Sequence, residues 1–443
     1  MQWKREYRQM VKKDLLDIVF RWIVIIFSAC IIFMNALTNY SGDMILTCIL
    51  ILFISIYIIY IYRNNFGILL AMLFILYSNY SIVMGVYIDP NIRLDDLYDQ
   101  ITEQSVYGAA ITTILVFEIT MLIFSIWNNK YAVNHEIIDN SKSRDELSNT
   151  DRLITVCCMA VYSIIFITQF KPGENGARAT GSPLLEYRCI FMIIGLIYSR
   201  GDKKIRNIWF VILTVTSLMI FIGGNRAEAL SPVIAFAVYY IKKINPIKLL
   251  ILMSAAVIAM ICIGEFRANF DLSIESIFKV IDKIQRDKLT FDTATCAYFP
   301  ALGSVYISNG INADDKARIL LYNFIYIFAG GEYGNIRIQF IVKQFFHHLN
   351  GFVSPLYFYI WVNIFSGSAF AAIVNGYMRI GLKRAKLYMS DYKYGIFIYF
   401  CAMTPRWYLY DPFPLIRGMF VYSVFYFIIR AGYNILKRSF SNC

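Results

Sequence analysis

About every twenty residues this chain enters another block of Ile, Leu, Phe, Val and Met, and that repeat restricts the fold more than any other feature. A helix rises about 1.5 Å per residue, so about 20 apolar residues cross the roughly 30 Å of a bilayer's hydrocarbon. Such blocks lie near residues 18–37, 44–62, 66–88, 106–127, 153–170, 187–199, 207–223, 227–241, 247–266, 352–378, 391–405 and 415–434. Lipid offers no hydrogen bonds to the backbone, so each block must satisfy its own amides and carbonyls, and each is expected to be helical. Composition agrees: the chain is 58% hydrophobic and 16% charged, against about 25% charged in soluble domains. The expectation is an all-α, polytopic membrane protein of about 12 transmembrane helices, forming a single membrane domain over residues 1–443.

A net charge of +12 would suit nucleic acid, but the basic residues lie between the apolar blocks instead of forming one patch with interleaved aromatics. They read as topology signals. The connections at 63–65, 128–152, 200–207, 242–248 and 379–393, with both termini, hold 24 Lys and Arg. The positive-inside rule makes that set cytoplasmic and both termini with it. By parity the long connection 267–351 faces outside and forms a helical outer-face cap. Within it, Ala317–Ala329 is apolar but short; counting it as a span would put Lys383, Arg384, Lys386, Lys437 and Arg438 outside, so it reads as re-entrant or interfacial. The first residues, MQWKREYRQMVKKDLLDIVFR, lack a cleavage signal and are expected to be retained, with Trp3, Tyr7, Met10 and Val11 on one face lying along the membrane. Most of the nine cysteines stand inside apolar blocks, without CxxC spacing. No disulfide framework, zinc site, P-loop or cofactor is expected.

The informative polar residues gather at the expected outer face. KPGENGARATGSPLLEYR carries Arg178 and Arg188, FIGGNRAEAL carries Arg226 and Glu228, and GEFRANF carries Glu265 and Arg267. Four arginines at one boundary suit an anion, because guanidinium binds phosphate bidentately and keeps its charge when partly desolvated. The plainer alternative is that each snorkels or pairs with a nearby acid such as Glu228 or Glu265. His347 and His348, in KQFFHHLNGF, are residues whose neutral imidazole accepts a hydroxyl proton near pH 7. Against that stand an interfacial polar pair beside Phe345 and Phe346, and two rival bases, Asp287 and Asp292. Asp95–Asp96 and Asp314–Asp315 are acidic doublets, weak as metal sites and plainly read as solvated loop acids. Glu118 falls mid-span, where an ionisable group is costly, and suits either proton coupling or a structural partner. Tyr298, Phe299, Tyr306, Tyr322, Tyr326, Tyr333 and Trp407 suit sugar stacking or ordinary interfacial packing.

GGNRAE between two spans, a Gly-rich arginine loop before it and a long outer loop ending in HHLNGF resemble the Wzy-type O-antigen or oligosaccharide repeat-unit polymerases. The resemblance implies a metal-independent, inner-membrane glycosyltransferase of lipopolysaccharide biosynthesis, related in fold to O-antigen ligases. Its partners would be an undecaprenyl-pyrophosphate-linked oligosaccharide, membrane lipid and a chain-length regulator protein, with no nucleic acid. Carried over by position, Arg226 and Arg178 or Arg188, with Arg267, would hold the donor pyrophosphate, and His347 or His348 would activate the acceptor hydroxyl. Three other classes stay open. A flippase or transporter would draw on Glu118, and a ligase would share the chemistry with another acceptor. A glycosyltransferase using a metal at Asp95 and Asp96 would be abolished by chelation.

Overall fold

The computed structural model describes residues 2–88, 103–132, 148–171, 180–181, 183–223, 226–241, 292–329, 351–383, 391–410 and 412–441, with isolated positions between them. The described chain is almost wholly helical. Its first half contains α1 (Gln2–Leu37), α2 (Ile45–Tyr62), α3 (Phe66–Ile82, continued by a π-turn over Val83–Ile88), α4 (Gln104–Ala132) and α5 (Asn149–Gln169). A two-residue hairpin, β1 (Phe170–Lys171) with β2 (Thr180–Gly181), follows. Next come α6 (Pro183–Tyr198), α7 (Lys203–Ile222), α8 (Arg226–Tyr240), α9 (Asp292–Ile307) and α10 (Ala313–Ala329). The short α11 (Tyr359–Val362) leads to α12 (Ser366–Lys383), α13 (Asp391–Ala402), α14 (Thr404–Leu409) and α15 (Phe413–Ser441).

Eight helical stretches among the described residues are long and apolar enough to cross a membrane, and Tyr187–Tyr198 and Glu228–Tyr240 are shorter apolar helices. The chain is therefore a polytopic helical membrane protein. Its apolar distribution fits that solvent, since Ile26, Phe33, Phe210, Val211, Phe427 and Ile428 all point out of the fold. Most of the block at 247–266 lies outside the described residues. The stretch at 352–378 is not one rod: a 3-10 turn at Ser354–Leu356, α11 and a second turn at Asn363–Phe365 precede α12. Asn363 breaks the helix with φ of 49°. Part of the long 267–351 connection is helical too, as α9 and α10, and α9 is an inner element whose Ala294, Ala297, Tyr298, Ala301 and Leu302 are fully buried.

α4 is the central helix, with 78% of its apolar window buried against 17% for α15. It packs on α1, α2 and α12, and small residues set the approach distances. Gly367 of α12 lies so close to α4 that a Cβ would strike the Thr113 carbonyl and the Phe117 amide. The second group, α5–α8 with α13 and α15, uses a reciprocal notch: the Tyr422 phenol of α15 occupies the place of a Cβ on Gly395 of α13, and the Tyr399 phenol of α13 does the same on Gly418 of α15. Several polar side chains inside the bundle are paired across helices, which offsets the cost of burying them. Asn35 donates to Thr47 and Thr112, both at 3.0 Å, and Asn128 to Asn375 at 2.7 Å.

Candidate functional site

The site is built where α5, α6, α8 and α14 meet, at the end of the bundle that carries the β1–β2 hairpin. Phe166, Leu185, Ile220 and Ala229 form a small apolar cluster there, separate from the main core, with Phe170 and Phe221 packed on it. Phe170 stacks on Phe166 at 5.2 Å between ring centroids, so the hairpin is fastened to α5 by its first residue.

Onto this floor α6 projects Arg188, 1% exposed and among the largest fully buried side chains described. Its guanidinium carbon lies 5.4 Å from the Tyr162 ring centre and 5.9 Å from that of Phe166, a cation–π setting that replaces part of the lost hydration. Nη2 donates to the backbone oxygen of Glu228 at 2.7 Å. That carbonyl is available because the residue one turn on is Pro232, inside α8, which has no N–H to close the helical bond. Nη1 of Arg188 is equally buried and has no hydrogen-bond partner among the described residues.

Glu228 stands in the first turn of α8, where a carboxylate is favoured by the helix dipole. Its Oε1 accepts from Nη2 of Arg406 on α14, the two side chains being 16% and 17% exposed. One residue thus takes both arginines, Arg188 through its backbone and Arg406 through its side chain. Arg188, Glu228 and Arg406, with Cys189, Ser231 and Met403, line a narrow crevice.

The short helix carrying Arg406 is fixed from several sides. Phe352 N donates to Leu409 O at 2.7 Å, and Ser354 Oγ donates to Trp407 O. Gly351, with φ of +118°, is the residue that permits this approach: a Cβ there would come within 2.8 Å of Leu409 O and 2.7 Å of Ala297 Cβ. Tyr408 reaches the other way, donating to Asn79 Oδ1 at 2.5 Å. Asn79 donates to Glu118 Oε1 at 2.7 Å, and Ser55 Oγ donates to the same oxygen at 2.8 Å.

Of the residues expected from sequence, Arg188 is in the crevice. Arg226 opens α8, two residues before Glu228, and its side chain lies outside the described residues, as do Arg178, Arg267, Glu265, Asp95, Asp96, Asp287, His347 and His348. Asp314 and Asp315 occupy the first turn of α10, a dipole-favoured place for acids. Glu118 engages Ser55 and Asn79 within the bundle. Tyr298 and Trp407 are wholly buried; Trp407 stacks on Phe400 at 5.1 Å and donates to its carbonyl, so neither ring presents a face to a sugar. Arg406 was missed by the sequence reading, although Pro405 before it and the surrounding aromatics mark a turn between spans.

In comparisons with protein-family models, with curated proteins and with solved structures, nothing matches this chain.

Proposed function

We propose that this protein polymerises lipid-linked oligosaccharide repeat units at the outer face of a bacterial inner membrane, moving the growing glycan from undecaprenyl pyrophosphate to the non-reducing end of an incoming unit. The observation that carries the reading is the pair of guanidiniums, Arg188 and Arg406, meeting at Glu228 beside the helix that the GGNRAE motif opens. A buried arginine whose Nη1 has no partner among the described residues, at a span end beside a crevice, is costly unless something anionic meets it. The diphosphate of a lipid carrier arrives at that depth with its tail in the hydrocarbon.

In the proposed reaction the acceptor hydroxyl oxygen attacks the anomeric carbon of the donor as the bond from that carbon to the pyrophosphate oxygen breaks. The bond's electron pair leaves with the lipid pyrophosphate, and fixed arginines lower the barrier most where that charge develops. Arg188 and Arg406 act there, with Arg226, Arg178 and Arg267 as further candidates. The hydroxyl proton passes to His347 or His348. His348 precedes Gly351 by three residues, and the Gly351–Phe352 backbone lies against Leu409 of the helix that bears Arg406. No metal is needed, because the arginines supply the positive charge.

Glu118, the residue a transporter would draw on, accepts hydrogen bonds from Ser55 and Asn79 that join α2, α3 and α4. The test is a gel of surface polysaccharide from cells lacking the gene, with and without a plasmid copy. Collapse of the ladder to core plus one repeat supports a polymerase, since export and ligation must still work to display that single unit. Loss of every repeat, including the first, would turn the assignment to a flippase or ligase.

A further inference from the structure

We infer that Glu228 is the residue that selects the charge of the anion this crevice accepts, admitting a diphosphate and turning away a monophosphate. The inference rests on the reading of the Arg188–Arg406 crevice as the pyrophosphate site. Its basis is that Arg406 is already engaged: Nη2 donates to the Glu228 carboxylate, and both residues line the crevice. An incoming anion must therefore take Arg406 from an internal competitor that the fold holds in place.

The competitor cannot easily drift away. Its backbone oxygen is bonded to Arg188 Nη2 at 2.7 Å, and its carboxylate points from the first turn of α8 into the same crevice. Formal charge among Arg188, Arg406 and Glu228 sums to a single positive charge. A ligand of low charge replaces one carboxylate contact with one of its own and gains little. A diphosphate brings more negative charge and more acceptor oxygens, so it can take Arg406 and reach the open Nη1 of Arg188 together. Discrimination of this kind comes from an unfavourable contact set against the wrong ligand, as much as from attraction to the right one.

The experiment measures binding of farnesyl diphosphate and farnesyl monophosphate, which share a tail, to the full-length protein purified in detergent. The wild type should prefer the diphosphate by about tenfold or more, a difference of about 1.4 kcal/mol. Glu228→Gln keeps an acceptor oxygen for Arg406 but removes the competing charge. It should tighten monophosphate binding by about tenfold and diphosphate binding by about two- to threefold, which reduces a tenfold preference to about two- to threefold. Glu228→Asp, which draws the carboxylate back by one methylene, should fall between and serves where the Gln variant fails to fold. An unchanged preference in whichever variant folds, with Arg188→Ala and Arg406→Ala still abolishing binding, would overturn the selector role and leave the anion site standing. Binding that neither arginine variant weakens, or no binding by the wild type, would overturn the site and the selector together.

Discussion

Replacing Arg406 by Met separates what the ion pair does for the fold from what the arginine does for the reaction. Methionine keeps the apolar length of the stem and deletes the charge, leaving the Glu228 carboxylate at 16% exposure without that partner. Breaking a fully buried pair from one side costs about 3–5 kcal/mol. The two side chains here are 16% and 17% exposed, and water reaching them reduces the loss to about 2–3 kcal/mol. Loss of the guanidinium from above the Tyr410 ring, now 5.0 Å from its centre, adds about 0.5–1 kcal/mol. Arg406→Met/Glu228→Gln removes both charges, and its stability should return to within about 1 kcal/mol of wild type. Polymerisation should not return, because the second substitution restores no cation for the leaving pyrophosphate. Melting of each variant in detergent, followed by size-exclusion fluorescence, gives the first quantity, and the polysaccharide ladder from complemented cells gives the second. A single variant that melts with the wild type would show that the pair does not hold α14 on α8. Long chains made by the double variant would remove Arg406 from the anion site.

The reciprocal notch between α13 and α15 predicts that Gly395→Ala and Gly418→Ala each lose about 1–3 kcal/mol of stability, read as earlier melting, because each new methyl meets a tyrosine hydroxyl. Gly376→Ala, where a Cβ meets nothing within 4 Å, is the control and should gain about 0.5–1 kcal/mol as helix propensity improves. Tyr408→Phe leaves Asn79 Oδ1 without its 2.5 Å donor, at a cost of about 1–3 kcal/mol. It should also shorten the polysaccharide ladder, since it loosens the helix bearing Arg406; a normal ladder with lowered melting would confine Tyr408 to stability. Arg226→Ala should leave expression intact and eliminate long chains, while Arg226→Lys retains part of the function because charge survives without the bidentate fork; full-length chains from the Ala variant would clear Arg226 from the mechanism. A topology reporter fused near residue 310, between α9 and α10, should be active only outside, and activity in the cytoplasm would invert the face assigned to the site.

The spans were legible because a bilayer leaves the sequence little freedom: 18 or more apolar residues are needed, and α2, α3, α5 and α7 begin and end within a few residues of where hydropathy puts them. Hydropathy found the apolar stretch at 352–378, which recurs as Ser354–Leu382, but not its breaks at Ser354, Pro355 and Asn363, because backbone breaks do not register in an average. Arg188 was legible as an arginine starting a span, yet its partner was not. Ion pairing with Glu228 was anticipated as the plain alternative to anion binding, but the arginine on that carboxylate is Arg406, 178 residues along the chain. One local clue existed: Pro232 four residues after Glu228 marks a helical carbonyl without its usual donor, and Arg188 supplies one.

The parts of the crevice that hydropathy reads least well are the ones that aim its charges. Spanning helices need only be apolar and the right length, and many sequences satisfy that. A six-residue helix at a span end has little cooperativity of its own and persists through tertiary contacts. For α14 those contacts come from Ser354 and Phe352 on one side and from Tyr408, through Asn79 to Glu118, on the other. The mid-span acid, which looked like a transport residue, therefore belongs to the same hydrogen-bonded chain as the helix that presents Arg406. Asn79 is the link that joins them: its amide donates to Glu118 while its carbonyl accepts from Tyr408, so replacing it by Leu removes both bonds at once and couples the packing of α2, α3 and α4 directly to the position of the guanidinium.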